Sequence, residues 1–249
     1  MDYGHFVRLH GLISQLAPPP TREAFRDHCS RVLMVDGPTG PIAMLALRMR
    51  GATARISMIA VDPLHQGQGI GRGMLLTASR GLRAKAVRSW SLSVKADNAV
   101  ARSIFVRLGM REVSRGAYWS FERRQVARLP EAHSPLQVRP VGLEERKSLE
   151  RAFGLPGRLL AHRQPGARVL VVEHGRRPVA IGGLHDPESP SAFVGAKVPG
   201  AIRPLLAQIW PTEPLIPVFT RSPLVGGALQ EAGARLLFDF LDLEGPVPA

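Results

Sequence analysis

Apolar and polar positions along this chain fall into blocks that occur twice. Arg31-Val32-Leu33-Met34-Val35-Asp36, a Gly/Pro turn and Pro41-Ile42-Ala43-Met44 read as a hairpin of core strands. Arg168-Val169-Leu170-Val171-Val172-Glu173, a turn and Pro178-Val179-Ala180-Ile181 repeat it at an offset of 137 residues, Arg31 to Arg168 and Pro41 to Pro178. Ahead of the first hairpin, His5 to Leu16 sets Phe6, Leu9, Ile13 and Leu16 on one helical face. The same offset leads to Gly142 to Phe153, with Leu143, Leu149 and Phe153 beside a charged face. Downstream, Leu92-Ser93-Val94 and a helix ending at Leu108-Gly109 correspond to Ile216-Pro217-Val218 and a helix ending at Ala232-Gly233, at an offset of 124. A glycine at each helix end is the usual left-handed stop.

The pattern therefore predicts a tandem duplication of one α/β unit. Residues 1–125 form the first domain and 136–249 the second, joined by the polar, proline-bearing stretch 126–135. Two differences separate the halves. The second opens with an extra strand, Leu136 to Val141, where the first has only Met1 to Gly4, so the first half's opening strand is absent or comes from elsewhere. The fall in offset from 137 to 124 removes 13 residues from the second half, partly where the first half has a glycine-rich loop.

That loop follows an apolar strand: Ile56-Ser57-Met58-Ile59-Ala60-Val61, then Asp62-Pro63-Leu64-His65-Gln66-Gly67-Gln68-Gly69-Ile70-Gly71-Arg72-Gly73, then an amphipathic helix. Glycines let backbone N–H groups approach an anion, and the helix N-terminus adds free donors and a partial positive charge. Arg72 can add a charge-assisted contact. A mononucleotide loop would need Gly-Lys-Ser/Thr, and a dinucleotide fingerprint would need glycine at the sixth position; Arg72 and Met74 stand there instead.

Composition changes this picture little. With 45% apolar and 21% charged residues, the 249-residue chain has the makeup of a packed globular protein, which excludes a mainly disordered one. No run approaches a membrane span, and the N-terminal residues do not resemble a secretory leader, so the expected setting is cytoplasmic, without a membrane partner. The single cysteine, Cys29, cannot form an internal disulfide and reads as a small buried apolar residue; no Cys/His spacing points to a metal. The net charge of +13 invites a nucleic-acid reading. Only Lys85, Lys95, Lys147 and Lys197 are lysines, so 29 of the 33 basic residues are arginines, and they are scattered as in an Arg-, Ala-, Gly- and Pro-rich composition rather than gathered in a stripe. Nucleic acid ranks third among the partners considered.

The loop resembles the GNAT superfamily of acyl-CoA-dependent N-acetyltransferases. The pattern Val-x-Pro-x-x-Gln/Arg-Gly-x-Gly-Ile/Leu-Gly is met by Val61, Pro63, Gln66, Gly67, Gly69, Ile70 and Gly71, and a second motif follows in Leu92-Ser93-Val94, Asn98, Ala101, Phe105 and Leu108-Gly109-Met110. The resemblance covers roughly residues 5 to 124. It implies an α/β fold of the α+β kind: tandem GNAT units with mixed, mostly antiparallel sheets flanked by helices. Pantetheine would pair with Ile59, Ala60 and Val61, beside a splay from the neighbouring strand. The pyrophosphate would sit on Gln66, Gly67, Gln68, Gly69, Ile70, Gly71 and Arg72, with Asn98 and Phe105 near the pantetheine arm. An amine, on a small molecule or a peptide, would attack the acetyl-CoA thioester directly, with no metal. The second half keeps one glycine of the loop, in Val198-Pro199-Gly200-Ala201-Ile202-Arg203-Pro204, and has Ser222 for Asn98; no CoA site is expected there.

The match departs at the proton-transfer positions. Where the family often has a glutamate base this chain has Ser57, and where it often has a tyrosine acid it has Phe105. Ser57 and Tyr118, on a late strand that could face the thioester, are the catalytic candidates; His65, Asp97, His5 and His10 are further titratable groups in the region. Acid–base catalysis contributes roughly 10²–10⁴-fold, whereas positioning can contribute about 7–11 kcal/mol. Acetyl transfer without the base would favour low-pKa amines: a lysine-type amine with pKa about 10.4 is only about 0.04% neutral at pH 7, against roughly 10% for an α-amine near 8. The competing expectation is a module that binds CoA or acyl-CoA without turnover, as a sensor or interaction domain.

Overall fold

A computed structural model describes residues 3–11, 31–38, 40–155, 169–184, 191–209 and 214–248. Cys29 and Arg168, and the second half of the helix expected over His5 to Leu16, lie outside the described residues. The chain divides into two compact units, residues 1–114 with 241–249, and residues 115–240. These are not the two sequence repeats: the last residues of the second repeat belong to the first unit.

In the first unit, helix α1 (Tyr3–Gly11) precedes strands β1 (Arg31–Gly37), β2 (Gly40–Arg50) and β3 (Thr53–Val61). Helix α2 (Ile70–Arg83), β4 (Ser89–Lys95), α3 (Ala99–Arg107) and the start of β5 (Arg111–Glu122) follow. The last strand, β11 (Arg235–Pro246), enters this unit at Leu241. The strand order is β1-β2-β3-β4-β11, and among the described residues β1 has only β2 as a neighbour. Strict alternation in β4 turns Trp90, Leu92 and Val94 inward and leaves Ser89, Ser91, Ser93 and Lys95 on the other face. The inward set packs with Leu75, Ala78 and Leu82 of α2, Phe105 of α3, and Leu241, Leu243 and Val247 from the C-terminus. Opposite, Leu9 of α1 packs on Met44 and Ala60.

The second unit holds the rest of β5, then β6 (Gln137–Pro140), α4 (Arg146–Ala152), β7 (Val169–His174), β8 (Arg177–Leu184), β9 (Ala192–Ala196), α5 (Ile202–Ile209), β10 (Leu215–Thr220) and α6 (Pro223–Glu231). Its strands run β5-β10-β9-β8-β7-β6. Residues 126–135 lie within this unit, where Leu129 is buried in the core and Gln125 Nε2 donates to the Gly233 carbonyl at 2.5 Å. The expected helix over Gly142 to Phe153 is shorter, because the Glu145 carboxylate accepts from the Gly142 N–H at 2.7 Å and holds a turn before α4.

The repeat is visible in fine detail. A β-bulge falls between Val35 and Asp36 in the first hairpin and between Val172 and Glu173 in the second, again 137 residues apart. Asn98 caps α3 and Ser222 caps α6. Gly109 and Gly233 both take positive φ, 82° and 91°, as the helix stops expected of them. Most of the second repeat's deficit lies in one place: the turn Pro199–Ala201 runs directly into α5, which has 8 residues where α2 has 14.

Candidate functional site

The end of β3 departs from regular sheet geometry twice. Against β2, the register runs Ala46 to Met58 and then Leu47 to Ile56, so Ser57 is an extra, bulged residue and its side chain is exposed. Bulges bend a strand and re-aim the side chain at that point. Against the parallel strand β4, pairing covers only Thr53–Ser89, Ala54–Trp90 and Arg55–Ser91. Beyond Arg55 the two strands part, and the β4-side edge of Ser57, Ile59, Ala60 and Val61 has no ladder partner among the described residues. This is the expected splay, an edge able to pair with an extended amide-bearing ligand.

The fork opens toward the glycine loop. Asp62 accepts from the Leu64 N–H at 3.1 Å and caps the short turn Pro63–His65, and Gln66 Nε2 donates to the Val61 carbonyl at 3.0 Å, folding the loop back on its strand. Gly67 and Gly69 take φ of +76° and +78°, conformations that L side chains adopt only with strain. Gly69 is the N-cap of α2, and its carbonyl accepts from the Gly73 N–H at 2.9 Å. Among the described residues, the N–H groups of Gly67, Gln68, Gly69, Ile70, Gly71 and Arg72 find no backbone acceptor. No atom lies within 4 Å of a Cβ placed on Gly67, Gly69 or Gly73, while one on Gly71 would touch Val61 and Ile59 at 3.7 and 3.9 Å. An uncovered row of N–H groups at the head of a 14-residue helix fits a pyrophosphate.

Asn98 stands three residues beyond the end of β4, at the start of α3. Its Oδ1 accepts from the Ala101 N–H at 3.0 Å. Phe105 is 3% exposed and belongs to the core, so it fills a packing role. His65 Nδ1 is buried without a hydrogen bond, 3.9 Å from Asp62 Oδ1. Tyr118 belongs to the other unit, where its ring lies 4.9 Å from Phe238 and 5.5 Å from Phe219 and Phe240. The side chains of His5 and His10 lie outside the described residues, and Asp97 sits in an exposed turn.

The same region of the second unit is closed. Between β8 and β9 the register is regular from Ala180–Ala196 to Leu184–Ala192, with no bulge. Strands β9 and β10 pair at Ala192–Val218 and Phe193–Phe219, and beyond them Thr220 Oγ1 donates to the Val194 carbonyl at 2.7 Å. Ser222 Oγ reaches the Ala196 carbonyl at 3.4 Å. These bonds stitch together the strand ends that diverge in the first unit.

A feature that sequence reasoning missed lies on the outer face of the first unit. Ser93 Oγ accepts from Arg55 Nη2 at 2.8 Å and donates to Asp242 Oδ1 at 2.5 Å, while Ser114 Oγ donates to Asp242 Oδ2 at 2.5 Å. Its signal was present in the numbering: Asp242 stands 124 residues after Tyr118, the late-strand candidate. Among the described residues no group of His, Cys, Asp and Glu is arranged to hold a metal ion.

Fold and site together define an α/β protein with a forked sheet and a glycine-rich loop, its N–H groups uncovered, at the fork. Residues 9–110, within the first repeat, match the model of the Acetyltransferase (GNAT) family. Over 92% of this chain and 86% of its own, a GCN5-related N-acetyltransferase from Sphaerobacter thermophilus has the same fold, with TM-score 0.67 and 17% identity. A tandem GNAT protein from the clavulanic acid biosynthesis pathway matches over 99% of this chain and 94% of its own, with TM-score 0.62 and 11% identity. The mycothiol acetyltransferase of Amycolatopsis mediterranei is 37% identical over 54 residues, 22% of this chain and only 18% of that relative. The chain is a tandem GNAT fold whose second repeat is degenerate.

Proposed function

We propose that the first unit transfers an acetyl group from acetyl-CoA to a primary amine by direct attack on the thioester, and that the second unit binds no CoA. The observation that carries this reading is the coincidence, at the end of β3, of the bulge at Ser57, the unpaired strand edge and the unaccepted N–H groups of the glycine loop. Pantetheine amides pair with the β3 edge at Ile59 to Val61, and the pyrophosphate sits on the loop from Gln66 to Arg72. A backbone N–H of the strand polarises the thioester carbonyl, and positioning supplies most of the rate. With Ser57 exposed and no carboxylate on that strand, the acceptor is an amine of low pKa, on a small molecule or a peptide N-terminus. No helix of the described residues is long and apolar enough to cross a membrane.

Thermal-shift titration with acetyl-CoA and with CoA, beside a Gly69→Asp variant, tests the loop. A ligand at 100 times its Kd adds about 2.7 kcal/mol, or several degrees for a chain of this size. A shift in the wild type alone supports the reading, and a panel of primary amines assayed by free-thiol release then identifies the acceptor. No shift in a folded protein refutes it. A second reading, a module that binds CoA without turnover, is favoured by Ser57 and by the burial of Phe105. A shift with no thiol release across the panel selects that one.

A further inference from the structure

Asp242 is an unusual resident of this sheet. Its neighbours Leu241 and Leu243 turn into the core, so its own side chain lies on the outer face, yet it is only 8% exposed. A carboxylate removed from water is expensive unless its oxygens are well bonded. Both are bonded here, by the hydroxyls of Ser93 and Ser114, and Ser93 in turn accepts from Arg55. The group therefore has a fixed position and a hydroxyl in front of it.

That hydroxyl stands where the sheet forks. Arg55 and Ser91 are the last residues of β3 and β4 to pair, Ser93 is two residues on along β4, and the bulged Ser57 is two residues on along β3. The repeat shows that the polar set goes with the glycine loop. At an offset of 124, Tyr118 corresponds to Asp242, Pro217 to Ser93 and Phe238 to Ser114, and in the second unit Tyr118 stacks on Phe238. The unit with the closed fork has an aromatic cluster in the place where the unit with the open fork has a serine-bonded carboxylate.

We propose that Asp242 accepts the proton of the attacking amine through the Ser93 hydroxyl, the task for which Ser57 has no basic group; this rests on the acetyl-transfer reading above. The amine nitrogen forms a bond to the thioester carbonyl carbon and the carbon–sulfur bond breaks, its electron pair leaving on sulfur. One N–H proton passes to Ser93 Oγ as the Ser93 hydroxyl proton passes to Asp242 Oδ1. The thiolate takes a proton from solvent and Asp242 returns its own to solvent, so that amine and thioester become amide and thiol. Ser114 holds the far carboxylate oxygen and moves no proton.

The two serines provide the test, because they hold the same carboxylate and only one lies at the fork. Asp242→Asn, Ser93→Ala and Ser114→Ala are compared in the full-length protein, using an amine that the wild type acetylates. Expected is a fall in kcat of about 10²-fold or more for Asp242→Asn and Ser93→Ala, and of less than about 10-fold for Ser114→Ala. CoA affinity by titration calorimetry stays within about twofold of wild type in all three, as the phosphate loop is untouched. Equal losses for the two serine variants mean that the carboxylate is structural and overturn the relay. So does an Asp242→Asn variant with kcat near wild type. If the wild type binds no CoA, or binds it and acetylates no amine, the acetyl-transfer reading falls and the relay with it; the first two failures leave that reading standing.

Discussion

Removing residues 241–249 tests the division of the chain most directly. Those residues end the second repeat in sequence but complete the core of the first unit. Leu241 and Leu243 are 1% and 3% exposed and Val247 is 9% exposed, all packed with Trp90, Leu92, Phe105 and Met110. Burying a leucine or valine side chain contributes about 1.5–3 kcal/mol, so the three together contribute about 5–9 kcal/mol. That is comparable to the whole stability of a typical domain, about 5–15 kcal/mol. Hydrogen exchange read by mass spectrometry separates the units. Deletion is expected to strip protection from residues 42–61 and 70–83 while residues 169–184 and 192–209 keep theirs. Leu243→Ala, a milder form of the same change, is expected to cost about 2–5 kcal/mol. Undiminished protection of β3 and α2 in the truncated protein would refute the reasoning, as would a stably folded fragment of residues 1–125.

Further expectations concern single positions. Gly69→Ala forces a side chain onto φ +78° and should cost about 1–2 kcal/mol by thermal unfolding. Gly73→Ala lies inside α2 with no atom within 4 Å, and should stabilise by about 0.5–1 kcal/mol. In the second unit Glu145 bonds Arg139 at 2.6 and 2.9 Å, and that hydrogen bond holds its carboxyl below the ordinary range. A lowered carboxyl adds stability that is complete above the ordinary glutamate value near pH 4.5 and is lost as the pH falls through the lowered one. Arg139→Met should therefore flatten the acid limb of the second unit's stability curve measured from pH 7 to pH 2. With no carboxylate on β3 to draw a proton from an ammonium group, N-terminal amines should outpace lysine side chains at pH 7, and equal rates in a competition assay would count against a low-pKa acceptor.

Much of this was legible in the chain. The hairpins, the loop and the glycine stops announce themselves because turn chemistry and two-residue alternation are local properties. The offsets of 137 and 124 then carry one repeat onto the other. Strand exchange was not legible, for a physical reason: β5 and β11 descend from the same segment of the repeat, and either satisfies the inward pattern needed beside β4. Which one pairs is decided by tertiary contacts such as Leu241 and Leu243 against Trp90. The bulge at Ser57 was hidden too, since an extra residue in a ladder depends on the partner strand as much as on its own. Tyr118 was singled out for its place on a late strand, and that place in the first unit belongs to Asp242.

This exchange explains why a repeat without the glycine-rich loop persists beside one that has it. A degenerate copy joined by a simple linker could be shed without harm to its neighbour. Here the second repeat ends in a strand that supplies the first unit with Leu241, Leu243 and Val247 for its core, and with Asp242 on the outer face of the sheet. Selection on the forked unit therefore acts on the far end of the chain. The loop at Pro199–Ala201 is free of that requirement. In the second unit Thr220 and Ser222 bond to the strand end of β9, and the turn at Pro199–Ala201 runs straight into a shorter helix. The losses fall on the loop and helix that would serve a phosphate, while α6 and β11, which carry the chain back to the first unit, keep the register of α3 and β5 residue for residue at an offset of 124.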